Sequence, residues 1–376
     1  MKNKNKLLIA AILVAALIAG VIVYSVNPKE AAIVRIAANM PLTGPITAWS
    51  GEYPNGFKMG IEEACEEFGI DPKTFSTDFQ DNAGKPSQAV TVLQKQMING
   101  FDVYLCGTSE AAKAVVDQVD SLKVPNFLLA FDPFLAAANP NRLRILPNSK
   151  IEAPLFISYA KMKNAKSVYI IHVNSAYANE EFGKIVEPAL EADGVKVTTE
   201  VFEFDTKDYK TIALKAAQAN TDLIFVCGYS FHLLPLLQDL RSNGALKDGR
   251  VMGVMDVVDF LYDGTSLKEF EGLVFASPLY DIPGKAASSE SWRQRYKEKF
   301  GRVASYVPAY AYDTAQAIVR AYHQDQKVTT DSIRSILPFS GVTGEIQLDA
   351  DGDIVSTVGL AKINSEGKIE HILLDK

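Results

Sequence analysis

The sequence predicts an α/β protein of two lobes, each built on a parallel sheet, and three observations predict it. From Ile33 onward, short runs of β-branched and aromatic residues alternate with stretches of helical periodicity. The alternation restarts after Pro147, which makes two similar series side by side. The segments after Leu273 are too few for a third lobe and read as additions to the first two, so the chain must cross between lobes more than once.

The first series opens with a strand over Ile33–Ala38. Phe57, Ile61, Ala64 and Phe68 then recur at helical spacing, with Glu62, Glu63, Glu66 and Glu67 on the wet face. Phe75–Phe79 is a second strand. Ala89, Leu93 and Met97 mark a helix closed by Asn99-Gly100, and Val103–Cys106 is a third strand. A helix over Ala111–Leu122 and a strand over Pro125–Phe131 complete the series. The second series has strands at Val168–His172, Val195–Val201, Leu223–Cys227 and Val251–Val254. Helices fall between them near Glu180–Ala192, Tyr209–Ala219 and Leu233–Arg241. Val168–His172 is apolar almost throughout, as in a sheet covered on both faces. Beyond it come a strand at Leu273–Ser277, a helix carrying Trp292, Tyr296 and Phe300 and ended by Gly301, and a helix carrying Ala311, Ala315, Ile318 and Tyr322. Two short strands follow an acidic turn at Asp349–Asp353.

The N-terminus reads as an export signal. Lys2, Lys4 and Lys6 precede an uncharged apolar run from Leu7 to Val26. Such a run enters a membrane and leaves the lysines on the cytoplasmic side. Residues 1–30 are therefore a signal peptide or a retained membrane anchor. The run is long enough to span a bilayer, and Val23-Tyr24-Ser25 is a poor match to a cleavage site. The body of the protein is expected outside the cytoplasm, periplasmic or on the outer face of the membrane.

Apolar residues make up 48% of the chain, enough for ordinary cores, and the net charge is −7. With the lysine head set aside, 35 basic groups face 45 acidic ones, which argues against nucleic acid and anionic lipid as partners. Cys65 lies in a helix pattern and Cys106 and Cys227 end strands, so buried free thiols are the expected state.

The familiar catalytic patterns are missing. There is no G-x-S-x-G elbow, no H-E-x-x-H and no P-loop, and His172, His232, His323 and His371 show no ligand spacing. Thr43-Gly44-Pro45 stands where a dinucleotide fold would carry its glycine fingerprint. Asp349–Asp353 lacks the calcium-loop order, because its twelfth position is Leu360, and it reads as an acidic hairpin turn. The expectation is a binding protein, not an enzyme, with no cofactor and no metal.

Four stretches in order carry a family resemblance. They are Pro41–Pro45 with Trp49-Ser50-Gly51, Asp81–Ala89, Tyr306–Asp313, and Gly341-Val342-Thr343-Gly344. Over residues 32–363 the chain resembles the type I periplasmic solute-binding proteins, in particular the leucine/isoleucine/valine-binding group that feeds ABC importers. The resemblance implies two Rossmann-like lobes joined by a multi-crossing hinge, in the Venus-flytrap arrangement, with the ligand held between them. Lobe I is then expected at 31–148 and 277–335, and lobe II at 149–276 and 336–376.

The same resemblance, with the chemistry of a zwitterion, nominates the site. Thr108 and Ser109 open a helix after the third strand, where a hydroxyl and free N–H groups suit a carboxylate; the family's ligand-binding Ser matches Ser109, whose alternative role is a plain cap. Trp49 matches a ligand-facing aromatic, and Tyr177 and Tyr229 match aromatics of the second lobe. Asp256 falls near the family's acid for the ammonium, with Met255 the neighbouring candidate. Asp132-Pro133 departs from the family, which has a small residue and a hydroxyl there. This points either to a ligand with an ammonium, amide or amine near Asp132, with dicarboxylates rejected, or to an Asp that caps the turn before Pro133. The implied partners are a small-molecule ligand and ABC permease subunits, and the protein is expected to be a monomer. The other reading is a membrane-anchored extracytoplasmic sensor of the same fold without a transport role.

Overall fold

The computed structural model describes residues 33–282, 287–355 and 358–373. The basic head and apolar run at the N-terminus lie outside the described residues. In the first lobe, β1 (Val34–Met40), β2 (Phe75–Asp81), β3 (Val103–Gly107), β4 (Asn126–Leu129) and β5 (Arg142–Leu143) form a sheet in the order β2-β1-β3-β4-β5. All its pairings are parallel. The connecting helices are α1 (Thr47–Ser50), α2 (Tyr53–Phe68), α3 (Pro86–Asn99) and α4 (Ser109–Asp120). The central strand β3 is buried along its whole length, while in the edge strand β2 only Phe75 is buried and the rest is half-buried or exposed.

The second lobe repeats the plan with β6 (Ser167–Val173), β7 (Lys196–Phe202), β8 (Leu223–Cys227), β9 (Val251–Gly253) and β10 (Val274–Pro278). Its helices are α5 (Ser149–Met162), α6 (Ala176–Glu181), α7 (Glu187–Ala192), α8 (Lys210–Gln218) and α9 (Ser230–Ser242). Strand order reverses at β1/β3 in one sheet and at β6/β8 in the other. Such a switch point opens a crevice at the carboxyl ends of the strands, and each sheet supplies one wall.

The late segments are shared out between the lobes. Helices α10 (Ala287–Phe300) and α11 (Tyr306–Asp325) return to the first lobe, and α11 lies along α2. After α12 (Thr330–Ser335) and a small hairpin of β11 (Phe339–Ser340) and β12 (Glu345–Ile346), the chain crosses back. Strands β13 (Val358–Ile363) and β14 (Ile369–Ile372) then extend the second sheet, giving β14-β13-β10-β9-β8-β6-β7. Both new pairings are antiparallel, so this sheet is mixed where the sequence suggests a parallel one. The link between β13 and β14 is too short for a crossover helix, which leaves a hairpin as its geometry.

Two local differences from the sequence reading have physical causes. The helix expected near Glu180–Ala192 is interrupted by a wide turn over Phe182–Val186, where the Glu187 N–H reaches back to the Phe182 carbonyl. Pro188 has no N–H to continue the ordinary ladder. The acidic face of α2 is also less wet than its pattern suggests. Glu63 pairs with Arg295 at 2.9 Å and accepts the Tyr312 hydroxyl, Glu67 pairs with Arg320 at 3.0 Å, and Glu62 meets Lys299. The basic partners arrive from α10 and α11, more than two hundred residues away.

Two glycines allow α2 and α11 to touch. A Cβ on Gly56 would lie 2.0 Å from the Pro308 carbonyl oxygen, and one on Gly60 would lie 2.5 Å from that of Tyr312. Both obstacles are backbone and cannot swing aside. Gly56→Ala should therefore push α11 off α2 and destabilise the protein by about 1–3 kcal/mol or more, read as a lower urea midpoint. An unchanged midpoint would show that the helices separate freely.

Candidate functional site

Six loops at strand carboxyl ends meet between the lobes. After β1, α1 carries Trp49. Its loop is pinned by the Ser50 hydroxyl on the Pro41 carbonyl at 2.5 Å and by Asp81, which accepts the N–H groups of Leu42 at 2.8 Å and Thr43 at 3.2 Å. The Trp49 indole N–H donates to the Tyr306 hydroxyl at 2.8 Å. After β3, Thr108 takes a positive φ of 67° and its hydroxyl caps α4 by accepting the Ala111 N–H at 3.2 Å. A β-branched residue rarely holds that backbone, and here it turns the chain sharply into the helix. Ser109 Oγ accepts the N–H groups of Phe131 at 3.2 Å and Asp132 at 3.1 Å. Those bonds occupy its lone pairs, and its own proton remains the group it can offer.

The second lobe brings Tyr177 on α6, Tyr229 immediately before α9, and Asp256 in a 3-10 turn over Met255–Leu261. An aromatic ladder crosses the cleft. Trp49 and Phe131 are 5.6 Å apart between ring centroids, Phe131 and Tyr177 5.8 Å, and Tyr177 and Tyr229 5.5 Å. Trp49, Thr108, Ser109, Asp132, Tyr177, Tyr229 and Asp256 are all buried. Polar contacts also bridge the lobes. Glu110 accepts the Ala176 N–H at 2.9 Å, and Lys113 pairs with Asp132 at 2.5 Å and Glu180 at 3.7 Å. The Asp132 carboxylate is thus held by Lys113 and accepts the Phe134 N–H at 2.9 Å, the turn-capping arrangement.

Beside the ladder lies a set of buried carboxyls. Glu152 accepts the Met255 N–H at 2.6 Å, which holds the turn that carries Asp256. Glu181 accepts the Ser149 hydroxyl at 2.6 Å. Burial raises all of them, and neighbouring carboxylates raise them further. Glu181 is pushed up to about 8 by burial and by Asp256, and Asp259 to about 7 by burial, with Asp281 and Asp263 adding to it and a bond from Ser230 opposing. Asp256 and Glu152 are raised well above the carboxylate range by burial and by acidic neighbours.

The remaining polar motifs are accounted for elsewhere. In the acidic turn, Lys150 lies 2.9 Å from Asp349, 2.7 Å from Asp351 and 3.7 Å from Asp353, so a lysine ammonium occupies the ground a cation would take. Cys65, Cys106 and Cys227 are free and buried. His172 and His232 direct ring nitrogens at the carbonyls of Val173 and Phe204, and burial lowers the His232 pKa to about 4.

Sequence reasoning passed over Phe131, Tyr306, Glu110, Glu152, Glu181 and Asp259 as site residues. Tyr306 stands at the head of a stretch that carried the family resemblance, and Glu181 is four residues, one helical turn, beyond Tyr177. Glu152 and Asp259 have no such local signal. The raised carboxyls generate a prediction. Folded Glu181 and Asp259 hold protons at a pH where the unfolded chain has released them, so stability falls as pH rises through their folded values near 7 and 8. His232 acts in the opposite sense, but only below its ordinary 6.5. Thermal melts of the ligand-free protein should give a midpoint that drops from pH 6.5 to pH 8.5. The drop should shrink in Glu181→Gln, and a midpoint that rises over this interval would contradict the assignment.

The family model described as "Periplasmic binding protein" matches residues 33–368. The leucine-, isoleucine-, valine-, threonine- and alanine-binding protein of Pseudomonas aeruginosa is 23% identical over 332 residues, covering 85% of this chain and 87% of that one. The substrate-binding protein LivJ of Streptococcus pneumoniae, solved with isoleucine, superposes with a TM-score of 0.77 at 20% identity, covering 90% of this chain and 98% of that one. A solute-binding protein of an ABC transporter from Rhodopseudomonas palustris, solved with 3,4-dihydroxybenzoic acid, gives 0.76 at 19% identity, covering 91% and 96%. The match runs through both sheets and both walls of the cleft, and the chain belongs to the periplasmic binding protein family.

Proposed function

We propose that this protein captures an amino acid or a similar small polar organic solute outside the cytoplasm, by closing its two lobes over it, and delivers it to ABC permease subunits. The observation that carries the reading is the meeting of Trp49, Ser109, Tyr177, Tyr229 and Asp256, from the strand ends of two sheets, in one buried site. Relatives named for amino-acid binding, and a neighbour solved with isoleucine, support the solute class. Residues 1–30 would serve export, as a cleaved signal or an anchor.

The parts have separate tasks. The Ser109 hydroxyl and the first turn of α4 suit a carboxylate, because a helix N-terminus carries partial positive charge and free N–H groups. Asp256 suits an ammonium. Trp49, Phe131, Tyr177 and Tyr229 enclose the remainder of the ligand. Asp132, engaged by Lys113, serves the closed state more than the ligand. Capture without conversion fits the residues present. Burial raises the thiols of Cys106 and Cys227 and so suppresses the thiolate, and His172 and His232 are bound to backbone carbonyls and not to a nucleophile.

Closure would use hinges where the chain passes between the sheets. The Glu110–Ala176 and Lys113–Glu180 contacts reach from one lobe to the other and are candidates for contacts made only in the closed form. Small-angle scattering should show a monomer whose radius of gyration falls when a tight ligand is added; no change with a confirmed ligand would refute closure. Ser109→Ala should lower the melt, because it leaves the buried Phe131 and Asp132 N–H groups without their acceptor, and should weaken amino-acid binding by the folded protein by about 1.5–3 kcal/mol, on the order of tenfold to hundredfold. Calorimetry that gives parental affinity would reduce Ser109 to its backbone role.

A further inference from the structure

We propose that the closed cleft selects a ligand with net positive charge, a basic amino acid, over the neutral branched-chain amino acids. This inference rests on the capture reading above and adds the charge class of the solute.

Four carboxyls are gathered in a place shut off from water. Asp256 and Asp259 lie on one buried turn, at 3% and 7% exposure, with Glu152 and Glu181 behind them at 1% and 0%. Burial and other carboxyls raise all four, and none of the four forms an ion pair among the described residues. Glu181 Oε1 and Asp259 Oδ2 make no hydrogen bond among the described residues. The nearby cations are already engaged. Lys113 is held by Asp132 and Glu180. Arg293 lies 3.3 Å from Asp281, donates to the Tyr262 hydroxyl at 2.9 Å and covers the Tyr280 ring at 3.8 Å.

A neutral amino acid brings one ammonium, and Asp256 can receive it. Its carboxylate is met by Ser109 and α4 in the other lobe. Asp259 then keeps the Ser230 hydroxyl but no partner on Oδ2, and a buried carboxylate without an opposite charge must take up a proton or a cation. A second cationic group on the ligand supplies that partner. The aromatic walls suit it as well: Tyr306 feels both Asp256 and Asp259 and bonds to Trp49, so ring faces and carboxylates share one lining. Aromatic faces attract cations most strongly where water is excluded.

The test is titration calorimetry of the whole exported chain, at pH 7.5, with L-lysine, L-arginine, putrescine, L-leucine and L-isoleucine. We expect L-lysine or L-arginine to bind tighter than either branched-chain amino acid by on the order of tenfold or more, the effect of about one well-formed buried charge contact. Asp259→Asn, checked for an unchanged fold by circular dichroism, should cut L-lysine and L-arginine affinity and so narrow or reverse that preference. L-Leucine or L-isoleucine binding tighter than both basic amino acids would overturn the charge assignment and leave amino-acid capture standing. Putrescine binding without either basic amino acid would support the cationic class and overturn the amino-acid head group. A failure of all five to bind would overturn the capture reading itself. The comparison among ligands on the parent protein stands even if the variant does not fold.

Discussion

Arg144 is completely buried where the chain leaves the first lobe, and the arrangement of the two lobes depends on it. Its guanidinium meets Asp353 at 2.7 Å and donates to the carbonyls of Ala130 at 2.8 Å and Asp132 at 2.6 Å. Its backbone N–H donates to the Gly352 carbonyl, and its carbonyl accepts the Ile354 N–H. One residue thereby ties the outgoing crossing, the loop after β4 and the segment that returns to the second sheet. A guanidinium without those partners would be an uncompensated buried charge, so the three segments have little freedom to separate at that point. Lys150 gathers the carboxylates of the same returning turn one helical step further on. The crossings are therefore fixed by charge pairing, whereas each lobe is fixed by apolar packing.

The site inherits its position from this frame. Because both sheets present their carboxyl ends to the same gap, every loop that follows a strand there can reach it. Aromatic rings cross the gap without needing exact registration. Hydrogen bonds such as Glu110 to the Ala176 N–H are more exacting and tie one lobe to the other. The carboxyls behind the rings work against stability on their own, since burial raises their pKa and none of them forms an ion pair among the described residues.

Some of this was legible in the chain. The alternation of period-2 and period-3.6 patterns set out the strands and helices, because local burial on a sheet face or a helix stripe leaves a periodic trace. The family resemblance nominated Trp49, Ser109, Tyr177 and Tyr229, and each follows a strand, where the carboxyl ends of parallel strands point the same way. The stretches that carry the family resemblance pointed to solute binding, because they follow one another in the family's order along the chain. Residues with two plausible tasks stayed open, as Asp132 did between ligand and turn.

What only the tertiary structure decided involves partners far apart in sequence. The buried role of Arg144 needs Asp353, 209 residues away, and the close approach of α2 to α11 needs Gly56 to meet Pro308. Glu152 joins the site through the Met255 N–H, 103 residues on, and no spacing within its own helix announces that. The pKa of a carboxyl likewise depends on what surrounds it in space, so Glu181 looks in sequence like any helical acid. Sequence determines which face of each element is apolar, because that is a local property of the chain. Which charges then face one another, and at what cost in lost water, is settled only when the elements pack.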